Sequence, residues 1–112
     1  MTKKLSIVVP VFNEEKFIIE TLNNIQFQKK KFDLEIIVVD DKSTDNTLNL
    51  LKTNQNLYDK LIENESNLGK GNALKKGFQN SSGEIILIQD ADNEYNPQQY
   101  EKLIEPFEKL NA

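Results

Sequence analysis

Four apolar runs rich in Ile, Val and Leu alternate with segments in which apolar positions recur every three or four residues. Each run has the length and composition of a β-strand, and the longer ones are apolar at consecutive positions, which is typical of a parallel sheet covered on both faces. The first strand is expected to end near Pro10, because proline lacks the N–H that a ladder needs. The predicted strands lie within residues 5–12, 34–39, 60–62 and 84–89.

The segments that follow the strands predict four helices. Asn13 is the expected N-cap of the first helix, since its side chain can accept a hydrogen bond from a free backbone N–H. Ser43 or Thr44 is expected to cap the second helix in the same way. The third helix opens at residues 69–71, and the fourth begins near Pro97, because proline is well suited to a first helical turn.

Strands and helices in alternation with short connections predict an α/β fold. We expect a Rossmann-like, doubly wound, mainly parallel sheet of about four strands with flanking helices. The third helix is expected to turn Ala73, Leu74 and Phe78 toward this sheet. A sheet edge left bare would expose unpaired backbone groups and favour a homodimer. The expected core positions in the strands are residues 7–9, 36–39 and 85–88.

Composition narrows the chemistry that this chain can perform. Its 112 residues have room for one domain. His and Cys are absent, so any metal must be held by oxygen ligands. All 14 cationic side chains are Lys against 18 carboxylates, and the net charge of −4 argues against nucleic acid as a partner. The sequence contains neither a membrane-spanning apolar run nor a signal peptide, so we expect a cytoplasmic domain.

Polar and acidic residues follow three of the four predicted strands, at Asn13 and Glu14, at Asp40 and Asp41, and at Asp90 and Asp92. Ligands of open α/β sheets bind at the carboxyl ends of the strands, which is where these residues are expected to lie. Asp90 and Asp92 are two residues apart, so on an extended segment both can face one hard cation, and Glu94 continues that spacing. The alternative is a solvated acidic turn.

Two further groups near this edge have both a structural and a functional interpretation. One of Asp40 and Asp41 is expected to hold a turn, which leaves the other free to accept a hydrogen bond from a base or ribose. Gly69, Lys70 and Gly71 match neither the phosphate loop of NTPases nor the dinucleotide-binding pattern. Lys70 is therefore either a surface residue that opens a helix or a cation that neutralises a diphosphate.

Four segments together resemble glycosyltransferase family 2, and within it the polyprenol-phosphate branch, which includes the dolichol-phosphate mannose and glucose synthases. The segments are VVPVFNE at residues 8–14, VVDDKSTDNT at 38–47, NLGKGNAL at 67–74 and IQDADNEYNP at 88–97. The resemblance implies a GT-A fold and an inverting transfer of sugar from a UDP- or GDP-sugar. It also implies Mg or Mn as a cofactor on the diphosphate.

The resemblance assigns the nucleoside to contacts with Pro10, Phe12, Glu14, Asp40, Asp41 and Ser43. Among these, Asp41 corresponds to the carboxylate that reads the base, and we expect Asp40 mainly to hold the turn. Removal of the Asp41 carboxylate is then expected to weaken nucleotide binding with little loss of stability.

The resemblance assigns the diphosphate and its metal to the last two segments. Lys70 and Gly71 correspond to the loop near the nucleotide, and Asp90 contacts both the nucleotide-sugar and the metal. Asp92 is expected to hold the metal more strongly than Asp90 does. Glu94 falls where the polyprenol-phosphate branch often has an additional metal ligand.

Members of the family continue past this point with an acceptor half. Residues 1–112 are therefore expected to be one family domain truncated at that half, which would hold the catalytic base where one is used. The acceptor is expected to be a lipid phosphate or a glycan, with peripheral association at the cytoplasmic face of a membrane through the missing part. One alternative is a nucleotide-sugar-binding remnant without turnover. Another is a response-regulator receiver, which would need its acidic pair after the first strand.

Overall fold

The computed structural model describes residues 4–91, and in this range the apolar runs form four strands that alternate with three helices. The strands are β1 (Lys4–Val11), β2 (Asp33–Asp40), β3 (Lys60–Glu63) and β4 (Ile85–Ile88). The helices are α1 (Ile18–Phe27), α2 (Thr47–Thr53) and α3 (Lys70–Gln79), with short 3-10 turns at Gln28–Lys30 and Gln55–Leu57. The expected fourth helix, from Pro97, lies outside the described residues.

All three strand pairings are parallel, and the strand order is β3-β2-β1-β4. The chain moves outward from β1 to β3 and then crosses back to place β4 on the other side of β1. This order confirms the predicted doubly wound α/β fold. Because the direction of winding reverses at β1, a crevice is expected at the carboxyl ends of β1 and its neighbours. In residues 4–91 no helix is long and apolar enough to cross a membrane.

The two faces of the sheet carry separate apolar cores. On one face, Ile18, Leu22 and Ile25 of α1 are fully buried among residues of β1 and β2. On the other face, Ala73 of α3 packs against β2, and Gly77 lies against Val8 of β1 so closely that a Cβ there would collide with the valine side chain. Small residues one helical turn apart therefore let α3 approach the sheet.

Three large apolar side chains expected in the core are instead exposed. Phe78 is 42% exposed, because it directly follows Gly77 and so points about 100° away from the face that meets the sheet. Ile86 and Ile88 are 40% and 39% exposed, whereas Ile85, which points to the opposite face of β4, is buried. In the described part of the chain β4 is an edge strand, and its face on the α3 side is only partly covered.

Both predicted helix caps are wrong. Asn13 lies five residues before α1, whose N-cap is Phe17 without a side-chain hydrogen bond. The backbone of Asn13 has a φ of +54°, which is incompatible with the extended conformation of an N-cap. Neither Ser43 nor Thr44 caps α2, which has Asn46 at its N-cap.

Candidate functional site

A pocket of about 200 Å³ opens at the carboxyl edge of the sheet, where β1, β2 and β4 end and α3 begins. It is lined by Pro10, Val11, Phe12, Glu14, Asp41, Lys70, Ala73, Asp90 and Ala91. Of the described residues that the resemblance assigned to the nucleotide-sugar, all but Asp40, Ser43 and Gly71 line this pocket. Parallel strands bring together side chains that are up to 81 residues apart in the sequence, because the strands all end at one edge.

Asp41 lines the pocket, and only 4% of its surface is exposed. Its Oδ1 accepts hydrogen bonds from Asn64 Nδ2 at 2.8 Å and the Leu68 amide at 2.9 Å, and its Oδ2 accepts one from the Gly69 amide at 2.8 Å. Burial pushes the pKa of Asp41 upward, but these donors and the charge of Lys76 outweigh burial and hold the pKa below its usual value. Asp41 is therefore an ionised carboxylate that fixes the loop leading into α3.

Asp40 faces a different set of partners. Its Oδ1 accepts the Ser43 hydroxyl at 2.5 Å, and its Oδ2 accepts the Ser43 amide at 3.3 Å. Both aspartates thus accept hydrogen bonds from the protein: Asp40 holds the turn at Ser43, and Asp41 holds the loop before α3. Asp41 still has acceptor capacity for a ligand, because a carboxylate offers about four lone-pair sites and three are used.

Asn64 belongs to this site although sequence reasoning assigned it no role. It is 3% exposed, donates to Asp41, and accepts a hydrogen bond from Lys76 Nζ at 2.6 Å. The backbone amide of Asn64 also donates to the Asp40 carbonyl at 2.9 Å, which continues the pairing of β3 with β2. This pairing alone places Asn64 beside Asp41, and nothing in the polar stretch around it distinguishes it from its neighbours.

Lys70 and Asp90, which both line the pocket, form an ion pair. Lys70 is the first residue of α3, and its Nζ lies 2.6 Å from Asp90 Oδ1 at the end of β4. The amino end of a helix and an ammonium group both favour an anion. Gly69 has a φ of +91°, and a Cβ added at Gly71 would meet no atom within 4 Å. This corner therefore places an ammonium group and the amino end of α3 beside the Asp90 carboxylate.

The predicted metal ligands are only partly within the described residues. Asp90 is described, whereas Asp92 and Glu94 lie outside the range. Residues 4–91 contain no group of three or more acidic side chains arranged to hold a metal ion. The chemistry of the donors fits the expected cofactor, since carboxylate oxygens are the preferred ligands of Mg and Mn.

A doubly wound parallel sheet with an acidic pocket at its carboxyl edge is typical of nucleotide-binding α/β domains. The sequence profile of glycosyl transferase family 2 matches residues 6–112. The chain belongs to this family, which confirms the resemblance and excludes the receiver alternative. Among its relatives, the dolichyl-phosphate beta-glucosyltransferase of Saccharomyces cerevisiae is 38% identical over 96% of this chain and 35% of its own length.

Solved structures of glycosyltransferases share the fold. A mannosyltransferase from Pyrobaculum calidifontis, in complex with GDP-Man and Mn²⁺, superposes with a TM-score of 0.73 at 34% identity, over 82% of this chain and 28% of that protein. Residues 1–349 of TarS from Staphylococcus aureus, in complex with UDP-GlcNAc, give a TM-score of 0.77 at 31% identity, over 95% and 31% of the two chains. The fold is therefore GT-A. The chain spans 33%, 29% and 23% of the lengths of the first three curated relatives it matches.

Proposed function

We propose that this chain is the donor-binding part of an inverting, metal-dependent glycosyltransferase whose pocket takes the nucleoside diphosphate of a UDP- or GDP-sugar. The observation that carries the proposal is the single pocket formed by Phe12, Asp41, Lys70 and Asp90 from four separate motifs. GDP-Man and UDP-GlcNAc in the complexes of two similar structures support the class of donor.

The nucleoside end of the donor is assigned to the side of the pocket formed by β1 and β2. Phe12 is 42% exposed and offers an aromatic ring against which a base can pack. Asp41 is ionised and has no proton to donate, so its unused lone pairs favour an N–H of the base or a ribose hydroxyl.

The diphosphate is assigned to the corner formed by Lys70 and Asp90. Lys70 can turn from Asp90 to the phosphate oxygens, because both side chains are partly exposed and their ion pair is weak in water. Asp90 would then serve as a metal ligand together with Asp92 and Glu94. A bound Mg or Mn ion would offset the charge that develops on the departing diphosphate.

The transfer step is a direct displacement at the anomeric carbon. A lone pair of the acceptor oxygen forms the new bond as the bond from that carbon to the diphosphate breaks, and the electron pair leaves with the nucleotide. A lipid phosphate is already anionic and would need little help from a protein base, whereas a glycan hydroxyl would need one. The dolichyl-phosphate glucosyltransferase among the relatives supports a lipid phosphate as the acceptor.

Calorimetric titration with UDP and with GDP, each in the presence and absence of Mn²⁺, tests the donor and metal assignments. We expect Mn-dependent binding that Asp92→Asn weakens at least tenfold and Asp90→Asn weakens less. Asp33→Asn makes the same chemical change at the opposite end of the sheet and should leave affinity unchanged. If Asp92→Asn bound both nucleotides with Mn²⁺ as the parent does, the metal assignment would be wrong. If the parent bound neither nucleotide, the donor assignment would be wrong.

A further inference from the structure

Hydrogen bonds from Asn13 join the two loops beside the pocket. The first loop, residues 12–17, follows β1, and the second, residues 41–46, follows β2. Asn13 Oδ1 accepts from the Thr44 amide at 2.7 Å and the Asp45 amide at 3.2 Å. Its Nδ2 lies 3.1 Å from Thr44 Oγ1. We call these contacts the Asn13 clasp.

A second set of contacts beside the clasp joins the first loop to the second loop and to the start of α2. The amide of Glu14 donates to Thr47 Oγ1 at 2.9 Å, and that hydroxyl donates to Asp45 Oδ1 at 2.5 Å. The amide of Glu15 donates to Asp45 Oδ2 at 3.3 Å. Thr47 is fully buried. The two backbone amides that follow Asn13 are thus bound to Asp45 of the second loop and to Thr47 at the start of α2.

The position of Asn13 connects the clasp to the pocket. The residues on either side of it, Phe12 and Glu14, both line the pocket, and Asp41 lines it from the second loop. Asn13 itself adopts a φ of +54°, a conformation that asparagine tolerates better than most residues. Its carboxamide therefore points at the second loop while its neighbours face the ligand space.

We propose that the Asn13 carboxamide is a positioning group that holds Phe12 and Glu14 in register with Asp41 before a nucleotide binds. This inference rests on the proposed function, since it assigns the pocket to a nucleotide. A loop held in its binding conformation loses less conformational entropy when the ligand arrives, so preorganisation raises affinity without adding a contact. Asn13 acts through its neighbours, and the proposal gives it no direct contact with the ligand.

Three variants separate the carboxamide from the backbone conformation. Asn13→Gly removes the carboxamide and tolerates the positive φ. Lys42→Gly is the matched control, because Lys42 is exposed in the second loop and has a φ of +63°. Asn13→Asp retains an acceptor oxygen for the Thr44 and Asp45 amides. Amide hydrogen exchange of the chain without nucleotide reports the clasp, and titration with UDP or GDP in Mn²⁺ reports affinity.

In Asn13→Gly we expect exchange at the Thr44 and Asp45 amides to rise at least tenfold and nucleotide affinity to fall about tenfold. Asn13→Asp should restore the protection of both amides, and Lys42→Gly should resemble the parent in both measurements. Affinity in Asn13→Gly within twofold of Lys42→Gly would overturn the proposal. If the parent bound neither nucleotide, the proposed function would fail by itself. Amide hydrogen exchange would then test whether Asn13 holds the two loops together. Protection of the Thr44 and Asp45 amides as strong in Asn13→Gly as in the parent would show that it does not.

Discussion

Two buried carboxylates stand at opposite ends of β2. Glu35 lies near the amino end and is 6% exposed, and Asp41 follows the carboxyl end and is 4% exposed. Six residues of extended chain separate them by about 20 Å. In both cases donors from the protein hold the pKa below its usual value. By burial and ionisation alone the two residues are indistinguishable.

The partners of Glu35 differ from those of Asp41. Burial raises the pKa of Glu35, but hydrogen bonds from the Ser82 hydroxyl and amide, the Ser6 hydroxyl at 2.8 Å and the charge of Lys60 lower it to about 2. These contacts fasten the turn before β4 to the sheet. Asp41 fastens a loop as well, but it also lines the pocket. A buried ionised carboxylate therefore marks a satisfied structural site, and its place at the carboxyl edge is what makes it a candidate for binding.

The largest effect is expected from Glu35→Ala. It leaves the Ser6 and Ser82 donors without their acceptor and removes the ion pairs with Lys4 and Lys60, so we expect stability to fall by roughly 3–5 kcal/mol. Affinity for UDP or GDP should stay within twofold wherever the variant is folded. Urea unfolding and calorimetry measure the two quantities, with Glu20→Ala on the surface of α1 as the control. A loss of affinity in the folded variant would show that the two ends of β2 are coupled.

Lowering the pH should remove the contribution of Glu35 to the stability of the parent chain. Because the pKa of Glu35 is 4.5 in the unfolded reference and about 2 in the folded chain, its contribution is complete above pH 4.5 and is lost as pH falls toward 2. The contribution is about 3 kcal/mol. Urea midpoints measured from pH 6 to pH 2.5 should fall steeply for the parent and less steeply for Glu35→Gln. Equal slopes for the two chains would contradict the assigned pKa.

Asp41→Asn should lower both stability and nucleotide affinity, whereas the Glu35 variants should lower stability alone. The new amide group brings a donor to face the Leu68 or Gly69 amide, so we expect stability to fall by about 1–3 kcal/mol. Nucleotide affinity should fall about tenfold. The sequence predicted little loss of stability at this position. The hydrogen bonds that Asp41 accepts lead us to expect a loss instead. Asp40→Asn is the comparison, and it should lower stability while leaving affinity within threefold. Retained affinity in Asp41→Asn would remove this residue from the site.

Lys70→Ala should have the smallest effect on stability. Its ion pair with Asp90 is largely exposed, so unfolding measurements should show a change below about 1 kcal/mol. Affinity for UDP should nevertheless fall several-fold, while affinity for uridine should not change, because only the diphosphate needs the cation. Lys75→Ala, an exposed lysine of the same helix, provides the control. Equal effects on UDP and uridine would place Lys70 away from the diphosphate.

The sequence alone determined the strands, their parallel arrangement and the edge at which the acidic residues meet. These features follow from local patterns, since a continuous apolar run must be covered on both faces and the carboxyl ends of parallel strands share one edge. Residues such as Asp41 and Asp90 could therefore be assigned to one site before any contact was known. The family motifs added Pro10 and Phe12.

Tertiary structure alone decided which hydrogen bonds the polar residues make. Asparagine is a residue type typical of a helix N-cap, but the Asn13 carboxamide binds backbone amides 31 and 32 residues away instead. Asn64 becomes a partner of Asp41 only because β3 pairs with β2, and Phe78 is exposed only because α3 meets the sheet through Gly77. A polar group has many acceptable partners of similar strength, and helix rotation depends on fit against another surface. Both choices are settled by long-range packing, which local periodicity does not encode.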